Sequence, residues 1–440
     1  MTSLSRLASS PHSPSVRRSA LRSILPLGAA ALLATPARAA EQDPAAEIAQ
    51  LRAQGPAGLA QLFATFDRLP AGHERDQLAQ VIDQVARQRY ATMSRLYWYT
   101  DLGEAKVAAQ RSGRPILALR MLGNLDEELS CANSRLFRAV LYANADVSTL
   151  MRDHFVLYWS SERPVPKVTI DMGDGRVLQR TTTGNSAHYV LDGQGNVLDV
   201  LPGLYAPRLF KEELTKSLGL AAKTKNLNPN ARTSAITKFH QQAMDQRAAA
   251  FAKLQTTRFT RDGSRSYTSK LAAAQRATMS KRVLEVPDLQ QFGMDPGSIG
   301  REDIEQWATI GTTLWNLVPA KRGPMFDPKL AQAYDTFDGQ SLHLISWLHQ
   351  LGGPVPEAEL AAMISRLEYS TLADSALDEL QLRQQIRAKL IAEPGLAHDQ
   401  LNDWIYAEVF HTPKSDPWLG LVPRTDFTGL PGDGASRAGH

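Results

Sequence analysis

Pro115-Ile-Leu-Ala-Leu-Arg-Met-Leu122, followed after an acidic loop by Ser130-Cys-Ala-Asn-Ser134, is the stretch on which the fold turns. The first phrase is an apolar run of buried-strand length, bounded by Ser112-Gly113 and by Gly123-Asn124. The loop carries Asp126, Glu127 and Glu128. Ser130 has the chemistry of an N-cap, which places Cys131 in the first turn of a helix. On that helix Leu136, Phe137, Val140 and Leu141 share one side. Cys131, Ser134, Arg135 and Arg138 recur at i, i+3, i+4 and i+7 on the other. A thiol at a helix N-terminus, leaving a strand and with cations on its own face, is how a protein makes a thiolate at neutral pH.

Working outward, Ala145 to His154 reads as a helix and Phe155 to Trp159 as a strand. Val165 to Ile170 and Arg176 to Gln179 form a hairpin around Gly173-Asp-Gly175. His188 to Leu191, the turn Asp192-Gly-Gln-Gly195 and Asn196 to Leu201 make another, closed by an amphipathic helix from Pro207 to Leu218. The order is a β-α-β half followed by a β-β-α half.

Three phrases carry a resemblance: Leu129-Ser-Cys-Ala-Asn-Ser-Arg-Leu-Phe137, Arg163-Pro-Val-Pro-Lys-Val-Thr-Ile-Asp171 and Thr183-Gly-Asn-Ser-Ala-His-Tyr-Val-Leu-Asp192. They resemble a group of exported bacterial thioredoxin-like proteins, as does Asp416-Pro-Trp-Leu-Gly420 near the end. The resemblance implies an α/β thioredoxin-like domain over residues 96–220, about a quarter of the chain. It makes Cys131, Ser134 and Arg135 the candidate catalytic residues, with Asn185, Ser186 and His188 as candidate substrate-binding residues. The chain departs from the thioredoxin pattern at two places. Ser134 stands where the second cysteine of Cys-x-x-Cys belongs, and Asn185-Ser-Ala187 fills the slot of the cis-proline. A cis bond without proline costs about 3 kcal/mol, so a trans peptide is expected there. Dithiol exchange by the usual cycle is excluded within this chain.

Met1 to Ala39 reads as a targeting segment: a basic region with Arg17-Arg18, an apolar run from Ile24 to Leu33, and the small-residue site Ala37-Arg-Ala39. The run is too short for a permanent anchor. Arg17-Arg-Ser-Ala-Leu-Arg22 resembles a twin-arginine export signal, with a general secretory signal as the alternative. The expectation is a periplasmic or secreted protein whose mature chain starts at Ala40 or Glu41. The signal holds five arginines and no acid, so the +4 of the whole chain falls to −1 without it. The pI of 9.0 is therefore no argument for a nucleic-acid partner. One cysteine in an exported chain means no internal disulfide and leaves an odd thiol to explain.

Residues 40–95 read as a helical segment that caps the α/β domain, and 221–411 as a larger all-α region punctuated by Gly323-Pro324, Gly352-Gly-Pro354 and Pro394-Gly395. A tail, 412–440, follows. Lys223 to Arg282 holds thirteen Lys or Arg against Asp245 and Asp262, with Phe239, Phe251, Phe259 and Tyr267 between them. Such a segment suits an anionic membrane surface, or docks on the protein's own acidic remainder. His343 and His349 point apart on a helix and Asp335-Thr-Phe-Asp-Gly339 lacks calcium-loop spacing, so no metal or cofactor is expected.

Two functions fit. One is a binding or scaffold module with a thioredoxin-like fold, partnered by an exported protein. The other is a monothiol exchange protein in which Cys131 attacks a disulfide, Ser134 hydrogen-bonds the thiolate, and Arg135 and Arg138 favour its charge.

Overall fold

The computed structural model describes residues 43–181, 185–258, 301–317 and 336–416. The expected signal, the later half of the basic segment and most of the tail lie outside the described residues. No described helix is long and apolar enough to cross a membrane.

A mixed α/β unit with a five-stranded sheet carries a helical C-terminal region. The central strand β2 (Ile116–Met121) is the apolar run. Its residues are buried almost throughout, as expected of a strand covered on both faces. It pairs in parallel with β3 (Val156–Ser161), which pairs in parallel with β1 (Trp98–Tyr99). On its other side β2 runs antiparallel to β6 (Ala187–Leu191), itself antiparallel to β7 (Val197–Pro202). The order is β1-β3-β2-β6-β7. Strand β1 corrects the expectation that Pro115 opens the first strand: two residues are too few to show an alternation.

Local chemistry sets the helix ends. Asp101 accepts from the Glu104 amide at 2.8 Å to start α5 (Leu102–Ser112), and Gly113, at φ 70°, closes it. Asn144 caps α7 (Ala145–His154) through Oδ1 and the Val147 amide at 3.0 Å. Pro207 opens α8 (Pro207–Thr224), where a missing N–H costs nothing. The hairpin strands β4 (Lys167–Asp171) and β5 (Val177–Thr181) pair with each other as a separate two-stranded sheet.

At the N-terminus, α1 (Pro44–Ala53), α2 (Pro56–Phe66) and α3 (His73–Ala86) share a small core of Leu59, Phe63, Ile82 and Val85, followed by the short α4 (Ala91–Ser94). Arg52 of α1 donates to the Trp98 carbonyl at 3.2 Å, and the Trp98 indole donates to Gln88 Oε1 at 2.8 Å. These bonds fix the helices to the edge of the sheet.

The helical region comprises α9 (Pro229–Arg258), α10 (Arg301–Trp315), α11 (Gly339–Gln350), α12 (Glu357–Leu377), α13 (Arg383–Ala392) and α14 (His398–Trp404). A π-turn, Asp378–Leu382, joins α12 to α13, and another, Ile405–Val409, extends α14. The joint with the sheet is ionic and largely buried. Arg383 Nη2 meets Asp199 Oδ2 of β7 at 2.6 Å, while Nη1 meets Glu213 Oε2 of α8 at 2.6 Å and Glu379 Oε2 at 2.8 Å. Arg387 reaches Glu379 at 3.1 Å, and Arg247 of α9 reaches Glu213 at 2.7 Å and Glu379 at 3.1 Å. Three guanidiniums thus face three carboxylates, with Lys216 adding a charge at the rim. Burial pushes the Glu379 carboxyl up, and Arg383, Arg387 and Arg247 more than offset it, holding it far below the carboxylate range. Arg247 and Arg232, which pairs with Asp192, commit part of the basic segment to internal carboxylates.

Candidate functional site

Cys131 leaves β2 by way of the acidic loop and is itself the N-cap of α6 (Ala132–Leu136), with φ −61° and ψ 157°. Ser130 does not cap the helix as expected. Its hydroxyl instead lies 2.7 Å from Ser134 Oγ, inside the turn. The helix continues as a π-turn, Phe137–Leu141, and this widening shifts its faces from the ideal spacing.

The expected cationic face is largely committed to backbone carbonyls, with Arg138 buried and Arg135 half-buried. Arg138 is buried and donates to the carbonyls of Leu125 at 3.0 Å and Glu128 at 3.3 Å, so it ties down the acidic loop through its backbone. Burial lowers its pKa to about 10. Arg135 donates to the Ser130 carbonyl at 3.2 Å and to Thr181 Oγ1 at 3.0 Å, which links the helix start to the base of the β4–β5 hairpin. Thr181 Oγ1 also donates to the Ser130 carbonyl at 3.2 Å.

Around the sulfur the groups are close and neutral. Cys131 is fully buried; its Sγ lies 3.0 Å from Ser186 Oγ and 3.4 Å from Ser134 Oγ. Ser134 Oγ is also 2.8 Å from the Cys131 carbonyl. The single Ser134 proton satisfies either that carbonyl or Ser130 Oγ. The loop before β6 therefore does face the thiol, with a serine hydroxyl where a proline ring was absent from the sequence.

Of the three candidate substrate-binding residues, Asn185 and Ser186 reach the site and His188 does not. Asn185 Nδ2 donates to Thr412 Oγ1 at 2.8 Å, and its carbonyl accepts from the Tyr406 hydroxyl at 3.1 Å. His188 points behind the helix, with Nε2 2.7 Å from the Tyr142 hydroxyl and its ring packed on Phe137 and Phe210. Burial lowers its pKa to about 3, which makes it a neutral core residue.

Thr412, Tyr406 and Arg163 complete the surroundings and have no signal in local periodicity. Arg163 Nη2 donates to the Thr412 carbonyl at 2.8 Å and Nη1 to the Asp416 carbonyl at 3.1 Å. Burial first, then Glu162, Tyr189 and Cys131 nearby, raise the Tyr406 phenol well above its ordinary pKa, so it serves as a hydrogen-bond donor. Among the described residues no group of His, Cys, Asp or Glu is placed to hold a metal ion. No protein-family model, curated protein or solved structure matches the chain.

Proposed function

We propose that this protein is an exported binding module built on a thioredoxin-like domain, in which Cys131 is a sealed thiol beneath the binding surface and not a nucleophile. The strand order β1-β3-β2-β6-β7, three parallel strands followed by two antiparallel ones, supports the fold reading. So does a helix that leaves β2 at Cys131 and another that follows β7. The expected β4–β5 hairpin stands between β3 and β6, and α14 packs on β6 through the Tyr189 hydroxyl, which donates to Asn402 Oδ1 at 2.8 Å. Export rests on the composition of residues 1–39.

One observation carries the functional reading: Cys131 has no exposed surface, and its sulfur is held between the hydroxyls of Ser186 and Ser134. A nucleophile in thiol exchange must meet its disulfide in line, and a covered sulfur meets nothing. Reaction with iodoacetamide at neutral pH tests this. The expected rate is at least a hundredfold below that of a model peptide thiol, and a peptide-like rate overturns the reading.

Monothiol exchange is the second reading, favoured by the two hydroxyls within reach of the sulfur. In it the Cys131 thiolate forms a bond to one partner sulfur while the other leaves as a thiolate, and an outside thiol reverses the adduct. An anionic membrane is a further proposed partner for residues 223–282. Arg232 and Arg247 are already paired with internal carboxylates, which lowers the charge that the segment offers to such a surface. Vesicle binding that is present at low salt and weakens toward physiological ionic strength is the expected result.

A further inference from the structure

Residues 411–416 lie beside the loop that carries Asn185 and Ser186, through a contact to Asn185, the neighbour of the serine that meets Cys131. The turn that brings them there begins at His411, whose φ of 52° is left-handed, and the Thr412 amide donates back to the Tyr406 carbonyl at 2.7 Å. A non-glycine residue in that region is held by its surroundings rather than by its own preference.

The hold is polar. Thr412 is gripped by Asn185 through its hydroxyl and by Arg163 through its carbonyl, and Arg163 takes the Asp416 carbonyl as well. Lys414 pairs with Asp403 at 2.5 Å, both half-exposed. Beyond Phe410 the only buried residue of the described segment is Thr412. The segment buries no apolar side chain, and a segment with few buried apolar contacts belongs to the part of a fold that opens locally. Beneath it Asn185 is 1% exposed, and its Oδ1 has no hydrogen-bond partner. That buried acceptor stands beside a donor, Nδ2, already engaged by the segment.

We infer that residues 411–416 are an intramolecular strap that covers the Asn185–Ser186 loop and Cys131, and that uncovers them by local opening at His411. The inference rests on the binding surface proposed above and supplies its regulation. The competing occupant is an extended segment of a partner protein. Its carbonyls take the place of those of Thr412 and Asp416 on Arg163, its acceptor replaces the Thr412 hydroxyl on Asn185 Nδ2, and an N–H donates to Asn185 Oδ1.

The test is the rate of Cys131 alkylation by iodoacetamide in the full chain, followed through sub-denaturing urea. Opening of the strap alone exposes little surface, so the dependence on urea is far shallower than that of global unfolding. A dependence equal to that of global unfolding, with a slow wild-type rate, overturns the strap and leaves the sealed thiol standing. A wild-type rate equal to that of a peptide thiol overturns both. Thr412→Val and Arg163→Met each raise the rate at least tenfold with the unfolding midpoint retained. An unchanged rate in these variants, with the amides of 411–416 exchanging faster, also overturns the strap. The urea dependence needs only the wild-type protein and decides the matter even where a variant fails to fold.

Discussion

Ser186 Oγ lies 3.0 Å from Cys131 Sγ, across 55 residues of sequence, and both residues are fully buried. This contact ties the start of a helix to the loop before an antiparallel strand. It puts the chain's only thiol at the junction of two halves of the sheet domain and behind its own C-terminal segment.

The first prediction concerns the missing partner of that thiol. Ser134 stands one turn along the helix with Oγ 3.4 Å from the sulfur, and i,i+3 residues there have the separation a disulfide needs. Ser134→Cys is expected to lose both free thiols and two hydrogens in mass under mild oxidant. In the monothiol reading it also supplies a resolving thiol, so a mixed disulfide through Cys131 is shorter-lived in this variant than in wild type. Two thiols that stay free under oxidant refute the prediction.

Much of this region was legible in the sequence because its signals are local. The apolar run at 115–122, the turns at 173–175 and 192–195 and the proline at 207 each declare an element. The burial of the site was not legible. It comes from contacts such as Asn185 to Thr412, separated by 227 residues, and no periodicity spans that distance. Arg138 read as part of a cationic face because spacing on a helix says where a side chain starts, not what meets it. The arginines of α13 were silent for the same reason: nothing local in the sequence marks Arg383 and Arg387 as partners of Asp199 and Glu213. The π-turns have no sequence signature either, since each depends on what packs against the widened turn.

A second prediction follows from Gly203, at φ 75°, where an added Cβ sits 2.1 Å from Asp378 Oδ2. Left-handed backbone costs a residue with a Cβ about 1–2 kcal/mol, and overpacking typically adds about 1–3 kcal/mol. Gly203→Ala is expected to lower stability by more than about 2 kcal/mol in urea unfolding, because the left-handed backbone strain remains even where the buried Asp378 carboxylate shifts to make room. A loss below about 0.5 kcal/mol contradicts the packing of this joint.

The third prediction is a pH dependence. Burial lowers the pKa of His188 to about 3 and those of His240 and His398 to about 4. Each folded value lies below the unfolded value of about 6.5, so the unfolded chain binds more protons below that pH. The stabilisation is therefore complete above about pH 6.5 and is lost as pH falls toward 4. Each histidine contributes a slope of about 1.4 kcal/mol per pH unit in that window. His188→Gln, which retains a partner for Tyr142, should flatten the slope by about that amount between pH 6 and 4.5. An unchanged slope means that His188 titrates in the folded protein.

The last prediction is the response of the ionic joint to losing its central cation. Arg383 is wholly buried and faces Asp199, Glu213 and Glu379. Removing one partner of a buried ion pair leaves an uncompensated charge and costs about 3–5 kcal/mol, far more than the net value of an intact pair. Arg383→Met, close in volume, is expected to show that loss at pH 7 by urea unfolding. The pH dependence identifies its origin. In wild type, burial pushes the Asp199 carboxyl up and Arg383, with smaller help from His240, Arg387 and Ser217, more than offsets it, so its folded pKa is depressed and its stabilisation fades only as pH falls through the acid range. In Arg383→Met the largest part of that offset is gone while Arg247 and Arg387 stay on Glu213 and Glu379, so Asp199 is left with burial dominant and a folded pKa above the unfolded one. The variant should then recover part of its deficit relative to wild type as pH drops from 7 to 5, and Arg383→Met combined with Asp199→Asn should recover part of it at pH 7. A deficit that stays constant from pH 7 to 5 and is unrelieved by the second substitution would assign the loss to packing instead of charge.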